Sequence, residues 1–180
     1  MNPSNDTELL YLEDMKVGDR WFSRWREITA NDVSEFAALT GDHDPLHSQE
    51  AGESPFGKPV AHGLLGLSVL AGLSSVQPNA ATLALIGISD WQFEAPIYFG
   101  DRVQVLTEIE EMQPHGRRAG RVTWVRRLLN QDGRVVQHGR FVSLVASRNR
   151  VKRPAHAKTA KGIAAKPRQQ PSSVPANVDV

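Results

Sequence analysis

The spacing of apolar positions changes character twice along the chain. Val33, Phe36, Ala37 and Thr40 recur at helical intervals, and Thr29 with Asp32 forms a capping-box-like start in which Asp replaces the usual Glu or Gln. Gly41 follows where a helix commonly ends in the left-handed conformation. This predicts a helix ending at Thr40, with Asp42 the first residue of a loop stiffened by Pro45 and closing near His47. Ser48 is placed to cap a further short turn, and Ser54 to Pro59 reads as a breaker-rich connection. From Gly63 to Val76 nearly every position is apolar, with Leu64, Leu65, Leu67, Val69, Leu70 and Leu73 interrupted only by Gly, Ala and Ser. A helix without a polar face is expected to be buried. It falls short of the about 20 residues needed to cross a bilayer.

Beyond this segment the period becomes two. Val103, Val105, Thr107 and Ile109 alternate with more polar neighbours, and Val122, Trp124, Arg126 and Leu128 begin a second such series. Asp132-Gly133 lies between two β-rich runs, predicting a type I′ hairpin that joins 121–131 to 134–147. With a strand expected over Trp21 to Ile28, the order is strand, helix, loop, buried helix and long antiparallel strands. The class is α+β, a sheet wrapped around one central helix.

Composition divides the chain in two. Its 180 residues suit one domain with appendages, and the four Trp and six Phe suit a packed core. The net charge of +1 conceals a body, residues 1–147, with 13 Lys and Arg against 19 Asp and Glu. Residues 148–180 carry eight Lys and Arg against Asp179 alone. That basic, Pro- and Ala-rich segment has almost no large apolar residue to offset ordering entropy and reads as a disordered tail. It lacks interleaved aromatics for stacking on bases, so no specific nucleic-acid partner is expected. The polar, acidic start MNPSNDTELL does not resemble a secretory signal, and no apolar run is long enough for a membrane span. The absence of cysteine excludes disulfides, thiol nucleophiles and cysteine metal sites. A cytoplasmic setting is expected.

The densest polar cluster is Gly41-Asp42-His43-Asp44-Pro45-Leu46-His47, followed by His62-Gly63 at the start of the apolar helix. Three readings are open. The cluster could be structural, since Asx-Pro turns and capping histidines are common. It could hold a metal, since His43 and His47 are four apart, although Pro45 opposes the helix that would align them. It could perform acid–base chemistry, with Asp42 and His47 handling protons and the N–H groups near Gly63 donating to a developing oxyanion. Gly-x-Ser-x-Gly, Gly-x-Gly-x-x-Gly and Walker A patterns are missing, so nucleophilic hydrolysis and nucleotide chemistry have no anchor. Arg117, Arg118, Arg121, Arg126 and Arg127 could meet phosphates, but read more simply as charge on an exposed sheet face. His115 and His138 are expected in a hairpin loop and a strand.

The run Thr40 to His47, together with Pro59-Val60-Ala61-His62-Gly63, resembles the signature of MaoC-like dehydratases and (R)-specific enoyl-CoA hydratases. The resemblance extends from about Tyr11 through Phe93-Glu94-Ala95-Pro96 to the last strand, leaving only the tail outside. It implies a hotdog fold and a homodimer. It further implies that Asp42 and His47 activate water for syn addition to a trans-2-enoyl thioester, giving an (R)-3-hydroxyacyl thioester, or catalyse the reverse. Gly63 would offer its N–H to the thioester oxygen, with His62 ordering the helix entrance or touching substrate. No metal or redox cofactor is implied, and coenzyme A or an acyl carrier enters only with the substrate. Many relatives have Asn at Asp44, and some have Ser at Ala71, which implies a more apolar acyl pocket here. The alternatives are a noncatalytic hotdog module that binds acyl thioesters or dimerises, and a hotdog thioesterase.

Overall fold

The computed structural model describes residues 8–48 and 55–149. Helix α1 (Ala30–Thr40) begins as the capping box requires: Thr29 Oγ1 accepts from the Asp32 N–H at 3.1 Å, and an Asp32 carboxylate oxygen accepts from the Thr29 N–H at 2.8 Å. Burial opposes ionisation of Asp32, but hydrogen bonds from Thr29 and the Arg26 guanidinium outweigh it and hold the carboxyl below its ordinary range. The helix stops at Gly41, whose φ of 78° is left-handed and whose N–H donates to the Ala37 carbonyl at 2.8 Å.

Six strands follow or flank the helices: β1 (Arg20–Phe22), β2 (Arg26–Glu27), β3 (Thr82–Phe93), β4 (Arg102–His115), β5 (Ala119–Asn130) and β6 (Val135–Ala146). They form one antiparallel sheet in the order β1-β4-β5-β6-β3, with β2 also on β4. Both period-two series face the core: Val103, Val105, Thr107 and Ile109 are buried, as are Val122, Trp124 and Leu128. The strand expected over Trp21 to Ile28 is divided into β1 and β2, both paired to β4.

Helix α2 (Gly63–Val76) packs Leu65, Leu70 and Leu73 into this core. It lies so close to the sheet that a Cβ at Gly66 would come within 2.3 Å of Gln137 Nε2 and 2.7 Å of Ile97 Cδ1. Contrary to the expectation of burial on all sides, α2 exposes a stripe at Leu64, Ser68, Gly72 and Val76. These positions are four apart, one face of the helix, and they stay exposed among the described residues. Its apolar exposure continues on edge strand β3 through Leu83, Leu85, Ile86, Ile88 and Phe93.

The β5–β6 turn differs from the expected type I′ form. Among the described non-glycine residues only Asp90 has a positive φ, so Asp132 does not meet the type I′ requirement. Gly133 has a φ of 75°, its N–H donates to the Asn130 carbonyl, and the Asn130 N–H donates to the Arg134 carbonyl, closing a three-residue loop. Asn130 decides the geometry, because its side-chain oxygen accepts from the N–H groups of both Asp132 and Arg134.

Glu13 ties the two ends of the described chain together by accepting from the Ser147 hydroxyl and from the N–H groups of Arg148 and Asn149. The Ser147 bond is the main reason its carboxyl falls to about 2. Residues 150–180 of the expected tail and the turn expected after Ser48 lie outside the described residues. No described helix is long and apolar enough to cross a membrane.

Candidate active site

Three consecutive features deliver Asp42 and His47 to the start of α2. Gly41 ends α1 and reverses the chain. Asp44 then caps a short turn, Pro45–His47, by accepting from the Leu46 N–H at 2.9 Å. Finally, the Val60 N–H donates to the Leu46 carbonyl at 3.3 Å, bringing the loop against the chain that enters α2. Asp44 is therefore committed to its own turn.

The hydrogen bonds fix the proton positions on two imidazoles. His47 Nδ1 lies 2.7 Å from the Val60 carbonyl oxygen. A carbonyl only accepts, so Nδ1 carries the proton, and Nε2 of the neutral ring has a free lone pair. His62 Nε2 lies 3.0 Å from the Asp42 backbone carbonyl and donates to it by the same logic. The His62 ring is only 2% exposed and stacks on His47 with centroids 3.8 Å apart and planes inclined at 28°. Phe36 of α1 closes on His62 at 5.1 Å. His62 thus stands behind the site: its side chain does not cap α2 but tethers Asp42 and backs His47. The Asp42 side chain is 52% exposed, with Oδ2 at 4.0 Å from His62 Nε2.

His47 borders two cavities. One, of about 650 Å³, is lined also by Asp42, Asn31, Asp44 and Phe99. The other, of about 290 Å³, includes Gly63, Phe93, Ile97 and Gln137. Gly63 opens α2, where the first N–H groups have no intrahelical acceptor and the helix dipole is positive. Its missing side chain makes room for Phe93, whose Cε1 would lie 2.9 Å from a Cβ there. The Gly63 carbonyl accepts from Gln137 Nε2 at 3.0 Å, fixing the first turn to β6. Gln137, 2% exposed, was not anticipated from sequence; a polar residue in phase with inward Phe141 and Val145 on β6 is the signal that marks it.

The structure brings together Asp42, His47, His62 and Gly63, and leaves His43 exposed on the loop. The donor atoms that cluster are those of Asp42, His47 and His62, within 4.8 Å of one another, not the His43–His47 pair weighed above for a metal. The two imidazoles stack, and one nitrogen of each is bonded to a backbone carbonyl. Elsewhere, His138 pairs with Glu94 at 3.0 Å and Arg127 with Glu108 at 3.2 Å, while His115 is exposed at the end of β4. Arg126 departs from the expected exposed arginine face: it points inward in phase with Trp124 and Leu128.

Comparisons with known proteins bear on the family and the fold. Residues 16–128 match the family described as "MaoC like domain". A 3-hydroxybutyryl-CoA dehydratase from Methylorubrum extorquens is 36% identical over 119 residues, covering 63% of this chain and 73% of that one. The solved structure of an (R)-hydratase from A. caviae involved in PHA biosynthesis superposes with a TM-score of 0.63 at 27% identity, over 73% and 97% of the two chains. A conserved Mycobacterium tuberculosis protein described as a double hotdog fold superposes with a TM-score of 0.68 at 16% identity, over 82% and 47%. The antiparallel sheet around α2 is a hotdog fold.

Proposed function

The chain belongs to the MaoC-like domain family, and on that premise we propose that it hydrates trans-2-enoyl thioesters to (R)-3-hydroxyacyl thioesters, or dehydrates them in reverse. The observation that carries this reading is the proton assignment on His47: with Nδ1–H given to Val60, Nε2 is a base beside the Asp42 carboxylate at the mouth of α2. In the hydration direction a water held by Asp42 gives a proton to His47 Nε2 as its oxygen bonds to C3. The double-bond electrons move toward the thioester oxygen, where the Gly63 N–H receives the enolate charge. His47 returns the proton to C2 on the same face, so addition is syn and the atoms balance. One such oxyanion donor is worth about 2.7–4 kcal/mol in transition-state stabilisation. The residues supply base, acid and oxyanion donor without a metal or redox cofactor, and coenzyme A or a carrier protein arrives as part of the substrate.

The protein acts as a cytoplasmic homodimer in this reading. Support comes from the exposed stripe of α2 and the bare apolar edge of β3, which together form one uncovered surface for a second copy. The test is to incubate purified protein with trans-2-enoyl-CoA thioesters of graded length and their carrier-protein equivalents, following loss of conjugated absorbance. Turnover of at least one series supports the assignment. Inactivity on all of them, with saturable acyl-thioester binding, identifies a noncatalytic binding module instead.

A further inference from the structure

Arg126 is a cation inside the fold without an anion. It projects from β5 into a cavity of about 370 Å³ between the sheet and the second half of α2, lined also by Ala71, Ser74, Leu85, Phe141 and Ser143. The guanidinium carbon lies 4.5 Å from the Phe141 ring centroid and 5.8 Å from that of Trp124. Both contacts are cation–π in kind, and the guanidinium carries five N–H donors besides. Nε is fully buried and has no hydrogen-bond partner. No ion pair joins Arg126 to any described residue, and none of the residues lining the cavity is acidic. Thr107, directly opposite on β4, likewise has a buried hydroxyl without a partner. Burial lowers the Arg126 pKa only to about 10, so the group remains charged at neutral pH.

A buried, uncompensated charge beside a second unpaired polar group is costly to the fold. A planar guanidinium matches a carboxylate better than any other common anion except phosphate. Its position relative to the reacting centre is also informative. Gly139, opposite Arg126 on β6, is two residues from Gln137, which holds the first turn of α2, a separation of about 7 Å. Along α2 itself, Ala71 on the cavity wall lies eight residues from Gly63, about 12 Å. The cavity wall at Ala71 therefore lies about 12 Å from the oxyanion donor, the span of one acyl chain.

We infer that this cavity receives a terminal carboxylate, making the preferred substrate a trans-2-enoyl thioester of a dicarboxylic acid. The inference rests on the hydratase reading for its chemistry and adds the substrate class. Arg126 is a specificity-determining residue here, not a catalytic one.

The test compares matched pairs of trans-2-enoyl-CoA thioesters, with and without a terminal carboxylate, on wild type, Arg126→Met and Arg126→Lys. The readout is the ratio of kcat/KM within each pair, which a purely structural role would not move. A charged hydrogen bond predicts a wild-type preference of about ten- to hundredfold for the carboxylate. Arg126→Met should abolish or invert that ratio, and Arg126→Lys should retain part of it. Equal ratios in wild type, or a loss in Arg126→Met that is the same for both members of a pair, would overturn the inference and leave the hydratase reading intact. Calorimetric binding of the saturated acyl-CoA pair supplies a readout independent of turnover. If no enoyl thioester reacts, the hydratase reading fails, and binding alone decides: a carboxylate preference lost in Arg126→Met supports the carboxylate site, and indifference overturns it. A free dicarboxylate that binds as tightly as its CoA thioester would assign the cavity to a separate anion, also against the inference.

Discussion

Replacing Gly66 with Ala should destabilise the protein even though Ala is the better helix former. The exchange gains about 1 kcal/mol in helix propensity. Against this, the new Cβ would lie 2.3 Å from Gln137 Nε2, 3.0 Å from Gln137 Cδ and 2.7 Å from Ile97 Cδ1. Ile97 can turn its terminal methyl away, whereas Gln137 is buried and bonded to the Gly63 carbonyl. Overpacking of this kind costs about 1–3 kcal/mol. Losing the Gln137 bond adds about 1–3 kcal/mol for the buried groups left unpaired. The net loss is about 1–5 kcal/mol, a fall in Tm of about 3–15 °C for a chain of this size. Turnover should fall as well, because Gln137 fixes the turn that carries the Gly63 N–H. Thermal melts of Gly66→Ala, Gln137→Ala and the double variant give the coupling directly. Gly66→Ala should cost less in the Gln137→Ala background, by about 0.5–3 kcal/mol. An unchanged or higher Tm for Gly66→Ala, or costs that simply add, would refute the close helix–sheet approach.

Thr29→Ala should lower stability by about 1 kcal/mol in denaturant titrations through loss of the α1 cap, with Thr29→Ser largely retaining it. Glu13→Gln tests the clasp between the ends of the described chain. The folded carboxyl lies at about 2, below its ordinary value of 4.5, so its contribution is present above about pH 4.5 and lost as pH falls toward 2. Because Glu13 is exposed, the difference from wild type at neutral pH should be at most about 1 kcal/mol. It should vanish in melts near pH 2. On the proposed homodimer, wild type should sediment as a dimer and Ile86→Glu on the exposed face of β3 as a monomer; an unaltered dimer would place the interface elsewhere, and a monomeric wild type would refute the pairing.

Local signals carried much of this fold and site because their physics is local. Thr29, Asp32 and Gly41 bound α1 through hydrogen bonds within four residues, and the inward phases of β4 and β5 follow from alternation alone. Strand β3 was not legible: bulges near Gly87 and Asp90 break its alternation, and its apolar residues are exposed instead of facing the core. Helix α2 likewise reads as buried on all sides yet exposes every fourth residue, because its apolar run does not reveal which face meets the sheet. At the site, Asp42, His47 and His62-Gly63 were evident from their order. Which nitrogen of each histidine carries the proton depends on the Val60 and Asp42 carbonyls, 13 and 20 residues away, and no spacing rule reveals that. Arg126 was in the correct phase to point inward, but its charge suggested the surface.

The central claim is that Asp42 and His47 add water to a conjugated thioester. It is tested most directly by following a trans-2-enoyl-CoA with wild type, Asp42→Asn and His47→Ala, each confirmed folded by its melting curve, and resolving the hydroxyacyl product on a chiral column. The account predicts an (R) product from wild type and a fall of about 10²–10⁴-fold in kcat for each variant. Folded variants that turn over at the wild-type rate, or an (S) product, would contradict it.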